Sequence, residues 1–265
     1  MESRAARDVP GGTYNAPGCG RASQRPHPGG GARASARGRP REVGAEVAGR
    51  RGGVVDHERF DVCDADGQPL GWSAPREEVH RRGWWHRAVH CWVLRPSPGD
   101  GEIVLQRRAP GKDTWPGRFD VSVGGHYRSG EGIEGCLREL REELGLDVAA
   151  ERLVPLGRRR IEQRYADGRV DREVQDVYLV VCALPLEEYR PDPGEVDAVV
   201  AVPLGEFVEV ARGALAEMSG EGMVWSELGG WRMAWVRVRA GDLVPSEDGY
   251  YRWVGEAARR HLGDG

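Results

Sequence analysis

The sequence predicts an α+β fold: strands gathered into one mixed sheet, with a few helices packed on it. Three observations carry this. Short β-rich runs bounded by turn residues recur at 87–94, 102–107 and 174–183. Helical spacing of apolar residues appears at only three places, so the strands do not alternate with helices as they would in a repeating βαβ array. No apolar run approaches about 18 residues, which excludes a membrane-spanning helix.

Taken in order, residues 60–70 read as a strand, a turn around Asp66-Gly67 and a return strand. The runs 87–94 and 102–107 flank a turn built from Pro96, Ser97, Pro98, Gly99, Asp100 and Gly101, and form a hairpin. Further strands are expected at 153–161, 174–183 and 196–202, with a loop over 189–197 leading into the last. Helices are expected at 133–144, 205–215 and 251–262. Residues 218–230, rich in Gly and Glu, read as a mobile loop, and Trp231 to Trp235 as a lid or interface.

Composition divides the 265 residues into a tail and a body. Residues 1–55 contain no Leu, Ile, Phe or Trp, and carry ten arginines against four acids, a charge of +6. Such a segment buries too little to offset the entropy of ordering and is expected to be disordered. A solvated tail, a non-native extension written by GC-rich codons and an Arg/Gly nucleic-acid arm all fit it. The arm is disfavoured because Tyr14 is its one aromatic. Residues 56–265 form the expected folded domain, of net charge −10, in which arginine supplies every Lys/Arg cation but Lys112, the single lysine. Cys19, Cys63, Cys91, Cys136 and Cys182 include no CxxC pair. They argue against a disulfide scaffold or zinc ribbon and fit a reducing cytosol; no secretory signal pattern opens the chain.

The stretch Gly124 to Leu146 carries the chemistry. Gly145 ends its helix, while Leu137, Leu140 and Leu144 supply an apolar face. Glu139, Glu142 and Glu143 stand at i, i+3, i+4, so three carboxylates crowd one face and repel. A cluster of oxygen ligands without soft partners suits Mg2+, with Mn2+ as an alternative. A merely solvated acidic face is the competing reading of the cluster alone.

The whole pattern resembles the Nudix box, Gly-x5-Glu-x7-Arg-Glu-U-x-Glu-Glu-x-Gly-U with U aliphatic. Gly125, Glu131, Arg138, Glu139, Leu140, Glu142, Glu143, Gly145 and Leu146 match it in identity. Six residues, not seven, separate Glu131 from Arg138, which puts Glu131 in question. The resemblance implies an α/β/α sandwich around a mixed sheet, and Mg2+-dependent hydrolysis of a diphosphate linked to another moiety. It implies metal ligands at Glu139, Glu142, Glu143 and Glu131, with Arg138 orienting a helix glutamate. The general base differs among members, and Glu142, Glu173 and Glu195 are candidates. Arg107, Arg108 and Lys112, between a strand and the box, could grip phosphates or be a solvated face.

Residues 58–205 resemble the isopentenyl-diphosphate-isomerase-like branch of that family, on Gln106-Arg-Arg, Lys112, Trp115-Pro-Gly, and Val123-Gly-Gly-His126 among others. In the isomerase three histidines and two acids bind a metal. The resemblance places their counterparts at His80, His86, His126, Asp171 and Glu173, a second metal site. The isomerase's catalytic cysteine stands two residues before the histidine matched by His126; here that residue is Gly124. The cysteine's absence and the intact Arg138-Glu-Leu-Arg-Glu-Glu-Leu-Gly145 run, a part of the box that is degraded in true isomerases, favour hydrolysis over isomerisation, with a non-catalytic nucleotide sensor as the remaining reading. The expected partner is a small diphosphate, without membrane and with nucleic acid disfavoured. A cytoplasmic location is expected, and a homodimer is left open.

Overall fold

The computed structural model describes residues 19–22, 58–165, 167–246 and 248–263. In chain order the elements are β1 (Cys19–Arg21), β2 (Arg59–Cys63), β3 (Pro69–Pro75), α1 (Arg76–Arg82), β4 (Trp85–Arg95), β5 (Glu102–Arg108), β6 (Phe119–Asp120) and β7 (Val123–His126). They continue with α2 (Ile133–Leu144), β8 (Leu146–Val148), β9 (Val154–Arg164), β10 (Val170–Val181), β11 (Val196–Pro203), α3 (Leu204–Ala211), β12 (Glu217–Ser226), β13 (Gly230–Arg239) and α4 (Tyr250–Gly263).

The main sheet runs β13-β12-β11-β5-β4-β10-β9, with β2, β6 and β7 joined to its middle. β4 and β10 pair in parallel and their neighbours antiparallel, so the sheet is mixed as expected. Alternation along the strands decides what covers each face. Trp92 and Leu94 of β4 pack with Phe207 of α3 and Tyr250, Tyr251 and Val254 of α4. Cys91 and Val93 face the other way, against Cys136, Leu140 and Leu144 of α2. Helices thus lie on both faces of one sheet, an α/β/α sandwich.

Three expectations are corrected. Residues 218–230 are not a loop: most of them belong to β12, which pairs with β13 through a tight turn before Gly230. The glycines there serve close packing rather than mobility. A Cβ on Gly220 would lie 1.8 Å from the Ala201 carbonyl oxygen of β11, and one on Gly222 2.7 Å from that of Val199. Trp231 to Trp235 accordingly sit in a strand at the sheet edge rather than in a lid. The second correction concerns cysteine: Cys19 and Cys182 form a disulfide across 163 residues. This is one bond and not a scaffold, but the scattered spacing did not announce it. Its partners meet because β1 pairs with β8 beside the end of β10. Third, residues 19–22, inside the stretch expected to be disordered, include that strand; residues 1–18 and 23–55 lie outside the described residues. The short helix α1, ended by Gly83 at φ 64°, was not foreseen. No helix among the described residues is long and apolar enough to cross a membrane.

Candidate active site

The acidic helix is fixed before its charges matter. Buried Cys136, Leu140 and Leu144 seat α2 on the sheet, and Gly145 closes it with φ 67°, donating to the Arg141 carbonyl. This seating turns Glu139 and Glu143 inward, both nearly buried, and leaves Glu142 half exposed at the rim of a cavity of about 920 Å³.

Arg138 organises the group. Its Nη1 donates to Glu139 Oε1 at 2.8 Å and to Glu142 Oε2 at 3.0 Å. Its Nε and Nη2 grip the two oxygens of Glu131 at 2.9 Å each, and Nη2 also reaches the His126 carbonyl. The six-residue spacing therefore still brings Glu131 to Arg138. The Glu131 carboxylate, which also accepts from the Arg128 amide at 2.8 Å, is fully engaged in holding the arginine. Of the four box acids, Glu139, Glu142 and Glu143 line the cavity and Glu131 does not.

Gly125 is required here by contact: a Cβ would lie 2.2 Å from Glu139 Cδ. Glu143 accepts from Gln106 Nε2 at 3.1 Å and the Gly124 amide at 3.2 Å. Burial, reinforced by the charge of Glu139, pushes its carboxyl up to about 8. Burial likewise raises Glu139, against the pull of Arg138. Carboxylates crowded and lifted in this way fit a hard divalent cation, which would let them ionise together.

A pH dependence follows. Between its ordinary 4.5 and about 8, Glu143 keeps a proton in the folded chain that the unfolded chain has released. Stability from this group is complete below pH 4.5 and falls as pH rises towards 8, by at most about 1.4 kcal/mol per pH unit. Urea denaturation of metal-free protein across that window should show the fall, and Glu143→Gln should flatten it. An unaltered slope in the variant would count against this origin.

The second expected group also assembles. α1 delivers His80, β4 His86, β7 His126, and β10 Asp171 and Glu173. One nitrogen from each of the three histidines lies within 4.8 Å of the others, and so do single ligand atoms of His86, Asp171 and Glu173. Buried Phe60 stacks on the rings of His86 and His126. The carbonyl of Trp84, 3.1 Å from His86 Nδ1, can only accept, so the proton of that neutral ring sits on Nδ1 and Nε2 offers a lone pair. Burial, with the neighbouring histidines, pulls His80 down to about 3 and His86 to about 4, leaving both neutral. His80 Nε2, His86 Nε2 and Asp171 Oδ1 are buried without hydrogen-bond partners, the histidines 3.7 and 3.6 Å from that oxygen. Burial raises Asp171. Glu173 is held low despite burial, by His126 Nε2 at 2.9 Å and by Gln175. Orphaned imidazole and carboxylate atoms converging on one point fit a divalent transition metal such as Mn2+.

The expected phosphate grips separate. Arg108 and Lys112 line the cavity, the former tied to Thr114 and Asp120, the latter paired with Glu195. Arg107 is not among the lining residues; it pairs with Asp197 at 2.6 Å and lies over Phe119. Glu195, like Glu142 and Glu173, reaches the cavity. Sequence reasoning did not single out Arg159, the middle of three consecutive arginines. It lies in the cavity wall, 4.0 Å above the Tyr250 ring and bonded to Gln175 and Asp248. Its position two residues from Ile161 on an alternating strand was the available signal.

Comparison with known proteins identifies the family. The NUDIX domain model matches residues 84–220. An uncharacterized Nudix hydrolase of Clostridium acetobutylicum is 32% identical over 201 residues, 76% of this chain and 96% of that protein. Nudix hydrolase 3 of Arabidopsis thaliana is 38% identical over 154 residues, 57% of this chain but 20% of the plant protein. The isopentenyl-diphosphate Delta-isomerase of Cutibacterium acnes is 35% identical over 163 residues, 60% of this chain and 80% of that enzyme.

Proposed function

Because the chain belongs to the Nudix hydrolase family, we propose that it is a Mg2+-dependent hydrolase of a diphosphate linked to another moiety, with water attacking phosphorus. The observation that carries this reading is the convergence of Glu139, Glu142 and Glu143 with Arg138 on one cavity wall.

Glu139, Glu142 and Glu143 would hold Mg2+, and the cluster of His80, His86, His126, Asp171 and Glu173 would hold a second divalent ion. Bound metal supplies Lewis-acid polarisation of phosphoryl oxygens and offsets the charge of an anionic substrate in an acidic site. Glu131 fixes Arg138, and Arg138 fixes the carboxylates of Glu139 and Glu142. Glu142, the most exposed of the three, takes the proton of the attacking water. Arg108 and Lys112 hold phosphate oxygens in the same cavity, exchanging their present carboxylate partners for the phosphates of the substrate.

The likeness to isomerases and the histidine-rich cluster favour a second reading, double-bond isomerisation of a prenyl diphosphate. Against it, Gly124 offers no group to donate or accept a proton where that branch carries cysteine.

A panel of diphosphate compounds with Mg2+ or Mn2+, scored for released phosphate or monophosphate, tests the proposal. Turnover is expected, and Glu142→Gln should lower it by roughly 10²- to 10⁴-fold. Allylic isomer from isopentenyl diphosphate would favour the second reading, and tight binding without turnover a sensor.

A further inference from the structure

One imidazole in the cavity wall has no part in the scheme above. His90 of β4 pairs with Gly124 of β7, and both line the cavity. The ring is oriented from behind. Trp92 Nε1 donates to the Tyr250 hydroxyl at 2.9 Å, and the same hydroxyl lies 2.8 Å from His90 Nδ1. An indole nitrogen only donates, so the hydroxyl accepts there and keeps one lone pair and its proton to meet Nδ1. Among the described residues that proton has no other acceptor. With Nδ1 accepting, the neutral ring carries its hydrogen on Nε2. Tyr250 is itself held by the Arg159 guanidinium above its ring. Burial keeps His90 neutral, drawing it down to about 4.

The free edge of the ring faces Gly124. A Cβ there would lie 3.5 Å from His90 Cδ2 and 3.6 Å from Nε2. Glycine leaves that space empty, so the N–H edge opens on the cavity. The Gly124 amide donates to Glu143, so this notch borders the carboxylate face of α2. A donor without an acceptor of its own, beside carboxylates that would hold a cation, is matched by a phosphate oxygen.

We propose that His90 contacts substrate directly, its Nε2–H donating through the Gly124 notch to a phosphate oxygen of the diphosphate. The proposal rests on the diphosphate reading above. It gives glycine at position 124 a role: any side chain there would stand over the donor.

Titration calorimetry of the full chain with methylenediphosphonate, a diphosphate that cannot be hydrolysed, tests it in the presence of Mg2+. His90→Leu should weaken binding on the order of 10- to 100-fold. His90→Gln, whose amide N–H reaches a similar point, should recover most of the loss. Both variants lose the Tyr250 contact at Nδ1, so a purely structural role would weaken binding in both alike and show no such rescue. The tautomer is read on the unaltered protein from the 15N shifts of the ring: hydrogen on Nε2 is expected, and hydrogen on Nδ1 overturns the proposal even if a variant fails to fold. Equal binding by His90→Leu and the parent also overturns it, while leaving the hydrolase reading intact. If the parent does not bind the diphosphonate, the diphosphate reading fails and this proposal with it.

Discussion

Replacing Arg138 with leucine is expected to destabilise the metal-free protein by about 3 kcal/mol, a typical cost of removing one partner from a buried ionic cluster. The guanidinium is mostly buried and donates to Glu131, Glu139, Glu142 and the His126 carbonyl. Its loss leaves Glu139 without its guanidinium partner and Glu131 with only Arg128 nearby, and Glu139 is already lifted by burial. Glu142 contributes less, since solvent screens its half-exposed carboxylate. Mg2+ should restore part of the lost stability in Arg138→Leu, because a cation can take the place of the guanidinium beside Glu139 and Glu142. Urea melts with and without Mg2+ measure both effects. A loss under about 1 kcal/mol would mean that the cluster is screened well enough to need no organiser.

Gly125→Ala should act on activity and spare the fold. The new methyl would fall 2.2 Å from Glu139 Cδ and 2.3 Å from Oε1, so the carboxylate must move. The atoms displaced are the end of a side chain, which can swing, and Gly125 does not have positive φ. The fold should therefore be kept, with a fall in melting temperature smaller than that of Arg138→Leu, since only the Arg138–Glu139 bond is disturbed. Displacement of a reacting group by about 1 Å can cost on the order of 10²-fold in rate, and kcat/KM should fall by at least that much. Weakened Mg2+ binding in the same variant would tie the loss to Glu139. Full activity in Gly125→Ala would remove Glu139 from the metal-holding set.

Much of this was legible in the sequence, for identifiable reasons. The helix expected at 133–144 is found at Ile133–Leu144 because its leucine face and its C-terminal glycine are both local signals. The strand expected at 102–107 gains only Arg108. Glu139, Glu142 and Glu143 of α2 and the five residues of the histidine-rich cluster are brought together as groups. What escaped depends on contacts between distant segments. Gly220 and Gly222 look like loop residues until the carbonyls of β11 are seen against them. Cys19 and Cys182 are joined by strand pairing that no spacing rule encodes. Arg159 reads as one of three consecutive surface arginines, and only alternation on β9 combined with the position of α4 turns it inward. Arg107 and Arg108 are adjacent, so a strand had to send them to opposite faces; sequence treats them as a pair, and the sheet does not.

The wall formed by Tyr250 also bears on synthesis. Chains leave the ribosome N-terminus first. The box helix is complete at Leu144, whereas β10, which supplies Asp171 and Glu173, and α4, which supplies Tyr250, follow it. Until they emerge, the acidic face of α2 has no enclosing cavity, and neither the histidine-rich cluster nor the proposed His90 donor can be finished. A growing chain thus carries its reactive carboxylates early and acquires the means to use them late. If the His90 donor is used, catalysis becomes possible only after α4 has been synthesised.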